Sequence, residues 1–102
     1  MTARRRLPNR RMCEQFCLEL AGLHYTVSVG RFPDDALAEI FINGKCGSDS
    51  DTAARDSAVV ASIALQYGVP LETIRRAVMR NRDGSACGPL GAALDIIAEE
   101  RR

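Results

Sequence analysis

The stretch over residues 51–79, DTAARDSAVVASIALQYGVPLETIRRAVM, constrains the fold more than any other. Its first part sets Ala53, Ala54, Ala58, Val59, Val60, Ala61, Ile63, Ala64 and Leu65 on almost every side of a helix, and a helix apolar all round is normally a buried one. Serine and aspartate over residues 48–51 mark its start, because their oxygens accept hydrogen bonds from the free N–H groups of a first turn and their charge suits the helix dipole. Gly68 marks its end by accommodating a left-handed cap, and Pro70 suits the first turn of a second helix, where its missing N–H is no loss. That second helix keeps Leu71, Ile74 and Val78 on one stripe and turns Glu72, Arg75, Arg76 and Arg80 outward.

A buried helix needs a layer to lie on, and the residues before it supply one. Over residues 12–20, Met12, Glu14, Phe16, Leu18 and Leu20 alternate with Cys13, Gln15, Cys17 and Glu19. After Ala21-Gly22 the alternation resumes, with Leu23, Tyr25, Val27 and Val29 against His24, Thr26 and Ser28, which reads as a hairpin. A second turn at Pro33-Asp34-Asp35 leads to a third strand, LAEIFIN, over residues 37–43. The loop at residues 44–48 delivers the chain to the central helix, residues 81–84 form a turn, and Pro89 opens a last helix with Leu90, Ala93, Leu94 and Ile97 on one face. Strands first and helices after predict a two-layer α+β fold, a three-stranded antiparallel meander followed by three helices on one face. Phe16, Leu18, Tyr25, Val27, Ile40, Ile42, Val60, Ala61, Ala64, Leu65, Ile74, Val78, Leu94 and Ile97 are the predicted core.

At 102 residues the chain is expected to be one domain, over 12–102, behind a basic flexible arm over 1–11. No apolar run approaches the length of a membrane span and the Arg-rich start lacks the apolar stretch of a signal peptide, so the expected address is the cytoplasm. Net charge is only +1, yet Arg4, Arg5, Arg6, Arg10 and Arg11 all precede the first acid, Glu14. Such an arm suits nucleic acid or an acidic partner surface, and its bland reading is a solvated tail.

Three segments carry a family resemblance. Residues 62–72, Ser-Ile-Ala-Leu-Gln-Tyr-Gly-Val-Pro-Leu-Glu, together with Arg6-Leu7-Pro8-Asn9-Arg10 and Ala38-Glu39-Ile40-Phe41-Ile42, resemble the carboxy-terminal segment of cobalamin-dependent (class II) ribonucleotide reductases. In order and spacing they resemble the TSCPD domain, which occurs as the tail of such reductases and as short free-standing proteins. The segment nearest the naming Thr-Ser-Cys-Pro-Asp motif is Ser85-Ala86-Cys87-Gly88-Pro89, which keeps a cysteine close to a proline but not the rest. A chain this short cannot hold the reductase's barrel. The resemblance therefore implies a non-catalytic accessory or interaction domain related to ribonucleoside-diphosphate reductase, with a protein partner such as a reductase subunit, or a nucleotide.

The cysteines are the candidates for metal or thiol chemistry. Cys13 and Cys17 share a strand face, but four residues at about 3.3 Å each separate them by roughly 13 Å, so a shared ion needs Cys46 or Cys87 as well. Zinc or iron would be the metal of such a site, and none is predicted. Cys87 lies just ahead of a helix start, where the dipole favours a thiolate, while the ordinary role of buried cysteine is that of a small hydrophobe. His24, the single histidine, falls across the hairpin from Glu19, which makes a surface pair the better reading than a general base. Asp49, Asp51 and Asp56 crowd one region, and helix capping accounts for the first two. Gly-x-Ser-x-Gly and phosphate-binding glycine loops are missing from the sequence. A rival reading takes the central helix, Gly68 and a second helix exposing Thr73, Arg75 and Arg76 as a DNA-binding helix–turn–helix with an Arg-rich arm. A third takes the small-residue face Ala54, Ala58 and Ala61, the open sheet face and the sheet edges as interaction surfaces, including those of a homodimer.

Overall fold

A computed structural model of the chain describes residues 3–9, 12–45 and 47–100, in the order β1 (Cys13–Leu20), β2 (Leu23–Arg31), β3 (Leu37–Asn43), α1 (Asp49–Gln66), α2 (Leu71–Ala77) and α3 (Pro89–Glu100). The strands form one antiparallel sheet in the order β1-β2-β3. The α+β arrangement read from the sequence is the fold. Ala21 and Gly22 close the first hairpin with both φ angles positive, 52° and 78°, the backbone that a two-residue turn needs to match the twist of its strands. This turn sets the register Phe16↔Val27, Leu18↔Tyr25 and Glu19↔His24. Val27↔Ile42 and Val29↔Ile40 continue the core row onto β3, while Cys13, Gln15, Cys17, Thr26, Ser28, Glu39 and Phe41 belong to the opposite face.

α1 lies along β3 and closes that edge of the sheet. The Ile40 N–H donates to Ser62 Oγ at 2.9 Å, and the same hydroxyl donates to the Ile40 carbonyl at 3.0 Å. Gln66 Nε2 donates to the Ala38 carbonyl at 3.1 Å, and Asp51 Oδ1 accepts the Gly44 N–H at 2.8 Å. Asp51, Ser62 and Gln66 are the buried polar residues of α1, and each meets an outward backbone group on or beside β3. In effect the helix replaces a fourth strand, sparing an edge the cost of buried unpaired amides. The N-cap is Ser48, whose hydroxyl accepts the Asp51 N–H. The expectation that Asp51 caps the helix is therefore corrected: its carboxylate belongs to Gly44 and, as an ion pair at 2.9 Å, to Arg55.

The core sits between the sheet and α1 with α3. Leu18, Tyr25, Val27, Ile40, Ile42, Ala61, Leu65, Leu94 and Ile97 are buried as predicted, and Phe16 and Ile74 pack at its margin, half-buried like Ala64 and Val78. Each fully buried large side chain contributes roughly 1.5–3 kcal/mol. Val60 does not belong there, for it is 66% exposed, and Val59, Ile63 and Tyr67 are exposed beside it. The reading of α1 as buried all round fails because a two-layer fold offers a helix only one layer to lie on; Ala54, Ala58, Ala61 and Leu65 take that side. α2 packs chiefly on α3, and it ends at Ala77 with Val78 already extended.

Residues 3–9, expected to belong to a free arm, are extended and lie against the domain. The Arg5 N–H donates to the Gln66 carbonyl at 2.7 Å, Arg4 Nε donates to Gln66 Oε1 at 2.7 Å, and the Arg5 guanidinium lies 3.9 Å over the Phe32 ring. Arg10 and Arg11 lie outside the described residues. Among the described residues, no helix is long and apolar enough to cross a membrane.

Candidate functional site

The outward face of α1 and the short helix beside it form an apolar groove. Val60 and Ala64 make one wall, Ile74, Ala77 and Val78 the other, and Val69 and Leu90 contribute to a cavity of about 520 Å³. Asp56, Ser57 and Thr73 supply its polar lining. The sequence builds this groove in two steps. Alanine and valine keep the α1 wall low, and α2, only 7 residues long, stops before it can cover its neighbour. A concave, mostly apolar groove of this volume with a few polar groups at its rim is the kind of place where another molecule binds.

Two groups of arginines bear on a site. Arg4, Arg5 and Arg6, with Leu7, Asn9, Glu39 and Gln66, line a cavity of about 600 Å³ at the β3 side of α1. Arg5 is also paired with Asp34 at 3.0 Å, and this hydrogen bond, aided by the Ala36 N–H, holds the Asp34 carboxyl below its ordinary value. On the other side of the molecule's helical layer, Arg75 and Arg80 converge on Asp95. Arg75 Nε reaches Asp95 Oδ1 at 3.0 Å, Arg80 donates to the same oxygen at 2.9 Å, and Arg75 also pairs with Glu72. Hydrogen bonding to Arg80 and Arg75 lowers the Asp95 pKa against the opposing effect of burial, and the same contacts raise both arginines. The outward placement of Arg75 and Arg80 read from the helical period is thus corrected: they tie α2 and the following turn to α3, and Arg76 alone of this cluster stands in solvent.

Cys13, Cys17 and Cys87 form no metal-holding group among the described residues. Cys13 and Cys17 are exposed on β1, and Cys87, exposed in the loop before α3, donates its thiol hydrogen to Asn81 Oδ1 at 3.0 Å. Among the described residues no group of three or more His, Cys, Asp or Glu side chains is arranged to hold a metal; Cys46 lies outside the described residues. His24 and Glu19 face each other across the hairpin, both exposed.

The groove residues Val60, Ala64 and Ala77 were not singled out from the sequence as a site. The usable signal was there: in a chain whose size allows two layers, a helix apolar on every side has more apolar surface than the fold can cover.

The model of the TSCPD domain matches residues 3–99, from the described arginines of the arm through nearly all of α3. The chain belongs to the TSCPD domain family. It is 35% identical over 71 residues, 69% of its length, to a vitamin B12-dependent ribonucleotide reductase of Streptantibioticus cattleyicolor, of which it covers 12%. It is 35% identical over 71 residues to that of Streptomyces clavuligerus and 39% identical over 72 residues to that of Rhodopirellula baltica, covering 7% of each. The TSCPD chain thus spans about a tenth or less of these relatives, and no solved structure matches it.

Proposed function

We propose that this TSCPD chain is a non-catalytic accessory domain that acts by binding a protein, and that its partner is a subunit of a vitamin B12-dependent ribonucleotide reductase. The observation that carries the reading is the apolar groove between α1 and α2, where core-packed Ile74 and Leu90 meet the outward Val60, which is 66% exposed. The relatives support the choice of partner, because in them a segment like this one is a small part of a reductase. The chain itself offers no cluster of nucleophile, base and oxyanion donors among its described residues, and we assign it no reductase activity of its own.

A nucleotide is the second reading, favoured by one specific observation. Arg4 and Arg6, neither of them paired with an acid among the described residues, line the cavity of about 600 Å³ together with Asn9. DNA binding through α2 has less support, since Arg75 is occupied by Asp95 and Glu72. The test is affinity capture of the tagged chain from its native cell, run in parallel with a Val60→Glu variant. Val60 is exposed, so the variant should melt within roughly 0.5 kcal/mol of the parent. Recovery of a reductase subunit by the parent and its loss with Val60→Glu is the expected result; recovery of a transcription complex, or of nothing that Val60→Glu releases, overturns the proposal.

A further inference from the structure

The two edges of the sheet are treated differently, and the difference points to a second copy of the chain. On β3 the outward backbone groups of Ala38 and Ile40 are taken by Gln66 and Ser62 of α1, and its core-facing side chains Ala38, Ile40 and Ile42 are at most 1% exposed. Among the described residues β1 has no such cover. Because the N–H and C=O of Ile40 point away from β2, those of its partner Val29 point toward β1 and engage Glu14; by alternation the groups of Cys13, Gln15, Cys17 and Glu19 point out of the sheet. Among the described residues the outward groups of Gln15, Cys17 and Glu19 meet no partner. The core-facing Phe16 and Leu20 stay partly exposed, and Met12, next in the same row, is 87% exposed.

We infer that β1 pairs antiparallel with β1 of a second copy, in the register centred on Phe16. That register is self-complementary residue by residue. On the core face Phe16 meets Phe16 of the second copy, Met12 meets Leu20, and Glu14 meets Leu18; on the open face Gln15 meets Cys17 and Cys13 meets Glu19. No acid stands opposite an acid, the exposed Met12 is covered by the partly exposed Leu20, and Cys13, Gln15, Cys17 and Glu19 exchange main-chain hydrogen bonds. Shifting the centre to Cys17 leaves Met12 beyond the end of the facing strand, and shifting it to Gln15 sets Phe16 against Glu14 and leaves Leu20 beyond the start of the facing strand, which selects the Phe16 register. The product is a continuous six-stranded sheet with its helices on one face and no open β1 edge. This inference stands whether or not the partner of the α1–α2 groove is a reductase, because the groove lies on α1 and α2 and the dyad on β1.

Sedimentation equilibrium under reducing conditions, on the full chain, tests it together with amide hydrogen exchange. A concentration-dependent dimer is expected, in which the amides of Gln15, Cys17 and Glu19 exchange slowly and return to fast exchange on dilution. Cys17→Pro removes an outward N–H that the isolated domain does not use, and Met12→Glu places a charge on an exposed residue opposite Leu20; each should weaken dimerisation by about tenfold or more. The second variant covers the case in which proline disturbs β1. A chain that stays monomeric, or a dimer in which these three amides exchange as an open edge does, overturns the inference.

Discussion

Gly30 has no side chain because Glu39 occupies the place where one would be. A Cβ at this position would lie 2.5 Å from Glu39 Oε1 and 2.7 Å from its Cγ, in a β2–β3 pair whose register sets the two residues opposite each other. The glycine permits a long carboxylate to lie flat on the open face at 8% exposure. Gly30→Ala should therefore cost about 1–3 kcal/mol, and distinctly less in a Glu39→Ala background. Chemical denaturation of the four proteins of this cycle measures the coupling; equal costs in both backgrounds would place the strain elsewhere. Their coupling was not legible in the sequence, because a glycine in a strand and a glutamate in the next have no visible relation until the register is known.

At the scale of the element, α1 explains which parts of the fold were legible and which were not. Strand positions, the Ala21-Gly22 turn and the Glu19–His24 pairing followed from period-two alternation and turn chemistry, both local signals. The side of α1 that faces water did not follow, since Val59, Val60 and Ile63 are as apolar as the residues it buries, and only the number of layers decides between them. The edge-capping role of Ser62 and Gln66 was equally hidden, because it depends on contacts 22 and 28 residues away in sequence. Ser62→Ala leaves the Ile40 N–H and C=O without their buried partner and should cost about 1–3 kcal/mol, whereas Ser57→Ala, which removes only a bond to the Ala54 carbonyl within the helix, should cost less than about 0.5 kcal/mol. Thermal melts of the two variants check the contrast. Acid acts on the same helical layer. Asp51 is held below its ordinary value of 3.8 chiefly by the Gly44 N–H, and Asp95 chiefly by Arg80. In both cases the unfolded chain takes up the proton first, so the stability these groups provide is complete above pH 3.8 and is lost as pH falls through their lower folded values. Melting temperature should fall on acidification below about pH 4, and Asp95→Asn, less stable at neutral pH, should lose less of its remaining stability over that range.

The whole molecule presents three distinct surfaces on one small fold. Among the described residues β3 is closed by α1, β1 has no partner on its outer edge, and the groove between α1 and α2 is apolar and uncovered. The arginines of residues 4–6 are gathered at a fourth place, beside Gln66, and the ion pairs of Arg75 and Arg80 with Asp95 hold α2 in the position that shapes the groove. The binding role we propose rests on that groove, and methyl-labelled nuclear magnetic resonance reads it directly. In a titration with the purified catalytic chain of the vitamin B12-dependent reductase from the same cell, the methyl signals of Val60, Ala64, Ile74 and Ala77 should shift or broaden with a saturable dependence, while those of Ile40 and Val27 in the core stay in place. Signals of the groove that remain unmoved at saturating reductase, or shifts confined to the arginine-lined cavity beside Gln66, would contradict it.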